Sequence, residues 1–143
     1  NGFQILCETG LLPGALLHNT NHKFICKNIH LKTISDNSIL TNMIGDKSLK
    51  MPIAHGEGRY FAEAKTIVEL ETNDQILFKY CNEKGEITED SNPNGSIKNI
   101  AGVCNKDRNV FGMMPHPERA ADIELKSTNG RKLFESILAK AVT

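Results

Sequence analysis

The chain has 143 residues, enough for one domain of ordinary size with a real apolar core. Hydrophobic residues make up 39% and charged residues 24%, which excludes disordered, collagenous and coiled-coil classes. Lys plus Arg balance Asp plus Glu at 17 each, so nucleic acid is not an expected partner, and no apolar run reaches the roughly 18 residues a membrane span needs.

Asn1-Gly2-Phe3-Gln4-Ile5-Leu6-Cys7 enters an apolar helical pattern at once, with no polar lead-in and no initiator Met, and the expectation is a fragment or processed chain cut inside an element. Phe3, Ile5, Leu6 and Cys7 suit a short buried helix to Thr9, ended by Gly10 and followed by a turn at Pro13-Gly14. From Lys23 to Ile34 the alternation changes phase between Phe24, Cys26, Asn28 and Ile29, Leu31, Thr33, which predicts a bent or bulged strand. Asp36 to Lys50 reads as a loop with a turn at Gly45-Asp46, before a short strand from Met51 to His55.

Phe61 to Leu70 places Phe61, Ala64, Ile67 and Val68 on a helical repeat that stops at Asn73-Asp74, and Gln75 to Cys81 then alternates as a strand. Asn82 to Gly95 is an acidic, turn-rich surface excursion. Ile100 to Cys104 and Asn109 to Met114 predict a β-hairpin. After Pro115-His116-Pro117, the repeat of Leu133, Phe134, Ile137, Leu138 and Val142 predicts an amphipathic closing helix. Strands and helices alternate, so the class is α/β with a mixed sheet, in one lobe.

Cys7, Cys26, Cys81 and Cys104 occur singly, with none of the pairing of zinc ribbons or redox dithiols, and read as reduced interior thiols of a cytoplasmic protein. His18, His22 and Cys26 would share a face only if helical, and Asn19-Thr20-Asn21 favours a solvent loop, so no metal site is expected. Gly56-Glu57-Gly58 lacks the third glycine and Lys-Ser/Thr tail of a phosphate loop and reads as a turn. Asn94-Gly95-Ser96 is a glycosylation sequon in form and a turn in expectation, and Arg59, Arg119 and Lys126 mark either a partner-facing surface or, as scattered bases usually do, solvated faces.

The segment with chemistry in it is Gly112-Met113-Met114-Pro115-His116-Pro117-Glu118-Arg119. Each proline pushes the residue before it toward extended geometry, and in an extended segment His116 and Glu118 point the same way. A carboxylate on one imidazole nitrogen fixes the tautomer and leaves the other free to take a proton from a nucleophile. The alternative is a rigid loop whose Glu118 and Arg119 face solvent. A His/Glu pair of this kind needs a Ser or Cys on a sharp turn into a helix, and the helix that opens this chain is of that sort.

Asn1 to Leu6, Leu11-Leu12-Pro13-Gly14-Ala15-Leu16-Leu17, Pro52-Ile53-Ala54-His55-Gly56-Glu57-Gly58-Arg59, Pro93-Asn94-Gly95-Ser96 and Met113 to Arg119 together resemble the glutaminase subunits of phosphoribosylformylglycinamidine synthase. These are class I glutamine amidotransferases of purine biosynthesis. The resemblance covers nearly the whole chain and implies a flavodoxin-like glutaminase domain, of which residues 1–143 are the C-terminal part. It implies that His116 is the general base and Glu118 its orienting acid. It further implies that Gln4 contacts the glutamine substrate, that the Asn1 amide is one oxyanion donor, and that His55, Gly56, Glu57 and Gly58 line the substrate's backbone end.

In that family the nucleophilic cysteine immediately precedes the Asn-Gly-Phe-Gln stretch, one residue before Asn1, and a glycine loop further upstream supplies the second oxyanion donor. The chain by itself is therefore expected to be inactive. Cys7, Cys26, Cys81 and Cys104, among apolar neighbours, are expected to pack the core rather than replace that thiol. No cofactor is implied on this chain: ATP and magnesium would belong to a synthetase subunit that amidates formylglycinamide ribonucleotide, with a small third subunit bridging the two. Two rival readings are a truncated, non-catalytic interaction module and a Cys/His/acid hydrolase with another substrate, the latter disfavoured by the His55–Arg59 and Asn94–Ser96 motifs.

Overall fold

The computed structural model describes residues 1–141, so Val142 of the expected helical stripe lies outside the described residues. The order of elements is α1 (Gly2–Glu8), β1 (Ala15–Leu17), β2 (Ile25–Thr33), β3 (Leu49–His55), β4 (Arg59–Phe61), α2 (Ala64–Thr72), β5 (Ile76–Cys81), β6 (Ile100–Cys104), β7 (Phe111–Met113) and α3 (Arg131–Ala141). Short 3-10 turns fill the links, among them Pro117–Ala120 and Ile123–Leu125.

Five strands form one sheet in the order β3-β2-β5-β6-β7, and β1 pairs with β4 in a separate two-stranded ribbon. Strand β6 has no polar residue because every one of its side chains is buried. Ile100 and Val103 join Phe3, Cys7, Leu12, Tyr60, Ile67 and Leu70 in the core under α1 and α2. Ala101 and Cys104 join Leu31, Met51, Ile53, Tyr80 and Leu133 in the core under α3. At roughly 1.5–3 kcal/mol for each fully buried large aliphatic or aromatic side chain, these two cores hold the sheet between its helices.

The α/β class stands, but among the described residues every pairing is antiparallel, where alternation of strands and helices suggested a mixed sheet. The hairpin of β6 and β7 is where the two apolar runs placed it. Strand β2 carries no bulge, since its register with β3 runs unbroken from Ile25 opposite His55 to Leu31 opposite Leu49. Its phase change arises because Phe24, Cys26 and Asn28 face solvent, whereas Ile29 and Leu31 are buried in the core and Ile25 packs against it. The irregular register lies between β5 and β6, around Phe78.

Phe61, expected to open the second helix, instead ends β4, and α2 starts at Ala64. Its buried face is Ile67 and Leu70, with Val68 exposed. Phe61, opposite Ala15 in the ribbon, also stays exposed. Among the described side chains of α3, Leu133 and Ser136 are buried, whereas Phe134 and Leu138 face outward. Cys7, Cys81 and Cys104 are interior thiols as expected, but Cys26 is exposed.

Candidate active site

Gly112 in β7 lets the opening helix approach the His116 segment. A side-chain carbon there would lie 2.3 Å from the Phe3 ring and 2.6 Å from Leu12, so only glycine admits α1 against this strand. Phe3 in turn stacks on Tyr60, centroids 5.6 Å apart, and the Tyr60 hydroxyl donates to the Pro13 carbonyl at 2.6 Å. The N-terminal end of α1 is thereby fixed over the end of β7.

Beyond β7 the chain is pinned by two backbone bonds, Met114 N–H to Ala101 C=O at 3.0 Å and His116 N–H to Pro52 C=O at 2.9 Å. His116 has extended geometry (φ −102°, ψ 90°), and Pro117 starts the 3-10 turn 117–120, where its fixed φ is already suitable and its missing N–H costs nothing. The expected juxtaposition of His116 and Glu118 therefore arises from a turn and not from an extended strand. His116 Nδ1 lies 2.7 Å from Glu118 Oε1. With the carboxylate accepting from Nδ1–H, Nε2 carries the lone pair, and it makes no hydrogen bond among the described residues.

His116 faces a cavity of about 530 Å³ that Asn1, Gly2, Phe3 and Gln4 line from one side and His55, Gly56 and Glu57 from another. Of the residues the sequence singled out, Asn1, Gln4, His55, Gly56, Glu57 and His116 thus surround one space, while Glu118 and Gly58 stand behind it. The Gln4 carboxamide donates to Glu57 Oε2 at 3.2 Å and to Glu8 Oε1 at 3.0 Å. Glu57 Oε1 lies 3.4 Å from His18 Nε2, so this carboxylate ties the turn after β3 to α1 and to the loop after β1.

His55 lines the cavity but is only 9% exposed, and both its ring nitrogens are engaged. Nδ1 lies 3.1 Å from Asn19 Oδ1, which also accepts from Gly58 N–H at 3.1 Å, and Asn19 Nδ2 donates to the carbonyls of His55 and Lys23, each at 2.8 Å. On the other side Asn94 Nδ2 lies 3.4 Å from His55 Nε2 and donates to Gly58 C=O at 2.8 Å, its own Oδ1 accepting from Ser96 N–H. Burial, with the nearby His116 as a smaller contribution, holds the His55 pKa below its ordinary value. Gly58 packs so closely on this imidazole that a side-chain carbon would fall 2.2 Å from Cε1.

Three features escaped the sequence reading. Asn19 and Asn94 looked like turn formers, yet both are buried and shape the cavity wall. Arg119 is solvated as expected, its side chain 55% exposed, but it also lines the cavity, with Nε 3.8 Å from Glu118 Oε1; its place one 3-10 turn after His116 is the signal that could have revealed this. Phe24, 68% exposed, stands at the rim. None of the four thiols lines the cavity, and burial pushes the pKa of Cys7 and of Cys81 up to about 11. His18 and His22 lie exposed on the loop after β1, and among the described residues no three His, Cys, Asp or Glu side chains are placed to hold a metal.

Comparison with known proteins gives a consistent result. A family model described as the CobB/CobQ-like glutamine amidotransferase domain matches residues 1–137. The phosphoribosylformylglycinamidine synthase subunit PurQ of Synechocystis sp. is 54% identical over 137 residues, 95% of this chain and 61% of the relative. The subunit of the same name from Aquifex aeolicus is 53% identical over 141 residues, 97% of this chain and 62% of the relative. The solved structure of PurLQS from Thermotoga maritima matches with a TM-score of 0.79 at 40% identity, over 97% of this chain and 58% of that one. The chain spans about three fifths of the length of the curated relatives it matches.

Proposed function

The chain belongs to the CobB/CobQ-like glutamine amidotransferase family, and on that premise we propose that it is the C-terminal part of the glutaminase domain of a cytoplasmic phosphoribosylformylglycinamidine synthase. The reaction is hydrolysis of L-glutamine to glutamate and ammonia, with the ammonia passed to a synthetase subunit. The observation that carries this reading is the His116–Glu118 pair, 2.7 Å apart, with Nε2 left free beside the first residues of α1.

The nucleophile is the thiol of a cysteine that precedes Asn1 in the full-length protein. Its proton passes to His116 Nε2 and the thiolate attacks the side-chain amide carbon of glutamine, while Glu118 stabilises the imidazolium through Nδ1. The Asn1 amide holds the oxyanion together with a donor from outside this chain. Collapse of the tetrahedral species breaks the C–N bond, the imidazolium gives its proton to the departing ammonia, and a thioester remains. Water deprotonated by Nε2 then attacks the thioester, releasing glutamate and restoring the thiol. Gln4 contacts the substrate, and the turn His55-Gly56-Glu57-Gly58 receives its amino-acid end, where the Glu57 carboxylate suits the α-ammonium.

The chain needs no cofactor of its own for this chemistry, and ATP and magnesium belong to the synthetase. A small third subunit bridges the two. Among the described residues no helix is long and apolar enough to cross a membrane. The test is ammonia release from L-glutamine by the full-length protein with its synthetase, compared with His116→Ala. Loss of about 10³-fold or more in kcat supports the reading; hydrolysis that survives the substitution overturns it.

A further inference from the structure

The turn 117–120 stands between two cavities. On the far side of Arg119 from the catalytic space lies a second one, of about 560 Å³, lined by Lys50 of β3 and by Lys126, with Asn28, Ser127 and Asn129 among its polar walls. Arg119 lines both. The two cavities differ in charge: Glu57 lines the first, whereas no Asp or Glu lines the second. Lys50 and Lys126 make no ion pair among the described residues, so their charge is not cancelled locally. In a chain of zero net charge, three cations around one small space are a local imbalance that favours an anion of matching size.

Glutamine hydrolysis, on the reading above, supplies such an anion. It turns a neutral carboxamide into a carboxylate, so the amino acid enters with no net charge and leaves with one negative charge. The new carboxylate is formed beside His116, where the Glu118 and Glu57 carboxylates repel it and the Arg119 guanidinium attracts it. We propose that the cavity of Lys50, Arg119 and Lys126 is a product site that receives L-glutamate through its side-chain carboxylate as it leaves the catalytic cavity. Glutamine has only the α-carboxylate that both amino acids share, balanced by its α-ammonium, and so gains less from the cations. The site separates product from substrate electrostatically, and it rests on the glutaminase reading.

The test is product inhibition of glutamine hydrolysis by L-glutamate in the full-length protein bound to its synthetase. The double substitution Lys50→Gln/Lys126→Gln is expected to raise the inhibition constant for L-glutamate 3–10-fold and to leave kcat/KM for glutamine within twofold. An unchanged inhibition constant overturns the proposal. Should the double variant not fold, raising salt from about 50 to about 500 mM on the wild type is expected to weaken glutamate inhibition while sparing the KM for glutamine, since screening acts on the charged ligand; equal effects on both overturn the proposal. Inorganic phosphate inhibiting as strongly as L-glutamate would likewise overturn it, in favour of a general anion site. A complex that hydrolyses no glutamine at all contradicts the glutaminase reading, and calorimetric L-glutamate binding to wild type and double variant then reads the cavity by itself: binding that the substitutions weaken supports the site, and binding they leave unchanged overturns it.

Discussion

His116 Nδ1 and Glu118 Oε1 are 2.7 Å apart although only Pro117 separates the two residues in sequence. The proline makes this possible: it begins a 3-10 turn immediately after an extended residue, so the Glu118 side chain folds back on the imidazole. The same oxygen lies 3.8 Å from Arg119 Nε. Glu118→Gln keeps the shape but removes the charge that stabilises the imidazolium, and its amide can turn a donor toward Nδ1 and select the wrong tautomer. On the proposed glutaminase reading, the expected outcome in the full-length protein is a kcat lower by about 10²–10⁴-fold with little change in KM. Steady-state glutamine hydrolysis checks it, and a KM effect without a kcat effect would contradict the assigned role.

Gly112→Ala tests how the opening helix is held over the His116 segment. The added methyl group would meet the Phe3 ring and Leu12 at 2.3 and 2.6 Å, so α1 or β7 must shift. Overpacking of this kind costs about 1–3 kcal/mol, readable by urea denaturation. Because the displaced element carries Asn1 and Gln4, activity is expected to fall further than stability alone explains. Pairing it with Phe3→Leu should recover part of both losses, since the two side chains compete for one space.

How much of this was legible in the sequence follows from the range of the forces involved. Helices α1 and α3 and the β6–β7 hairpin come from periodicity and turn residues close in the chain, and these were read correctly in kind and place. Strands β1 and β4 are three residues each, too short for any period, and their pairing joins residues 15–17 to 59–61. The His116–Glu118 pair was visible because two prolines mark it. The wall behind it was not, because Asn19 and Asn94 in loops look like any turn-forming asparagine until His55, brought in by β3, fills the space between them.

Thiol reactivity separates the four cysteines of this chain. Cys26 faces solvent on β2, whereas Cys7, Cys81 and Cys104 are buried. Burial pushes the pKa of all three interior thiols up, to about 11 for Cys7 and Cys81. A disulfide reagent at about pH 8 is expected to modify Cys26 quickly and the other three more than tenfold more slowly, with full reactivity only in denaturant. Peptide mapping identifies the fast site. Rapid modification of Cys7 under native conditions would contradict the packing of α1 on β7.

His55 should set part of the acid sensitivity of the scaffold. Its Nδ1–H donates to Asn19, and the Asn94 amide that faces Nε2 is a donor, because Asn94 Oδ1 is already committed to Ser96 N–H. A proton on Nε2 would place two donors face to face in a buried site, which agrees with the lowered pKa that burial imposes. In the unfolded chain the same imidazole takes its proton near pH 6.5. Between that pH and the lower folded value the unfolded state binds more protons, so this group lowers stability as pH falls through 6.5 and stops doing so once the folded imidazole is also charged. Above about pH 7 it contributes no slope. Urea denaturation at about pH 7.5 and 5.5 should show a smaller loss for His55→Gln than for the wild type, since glutamine does not titrate. If that variant is too unstable to measure, an imidazole NMR titration of the wild type decides the matter: a His55 signal titrating at or above pH 6.5 would mean that the Asn94 amide does not exclude the proton.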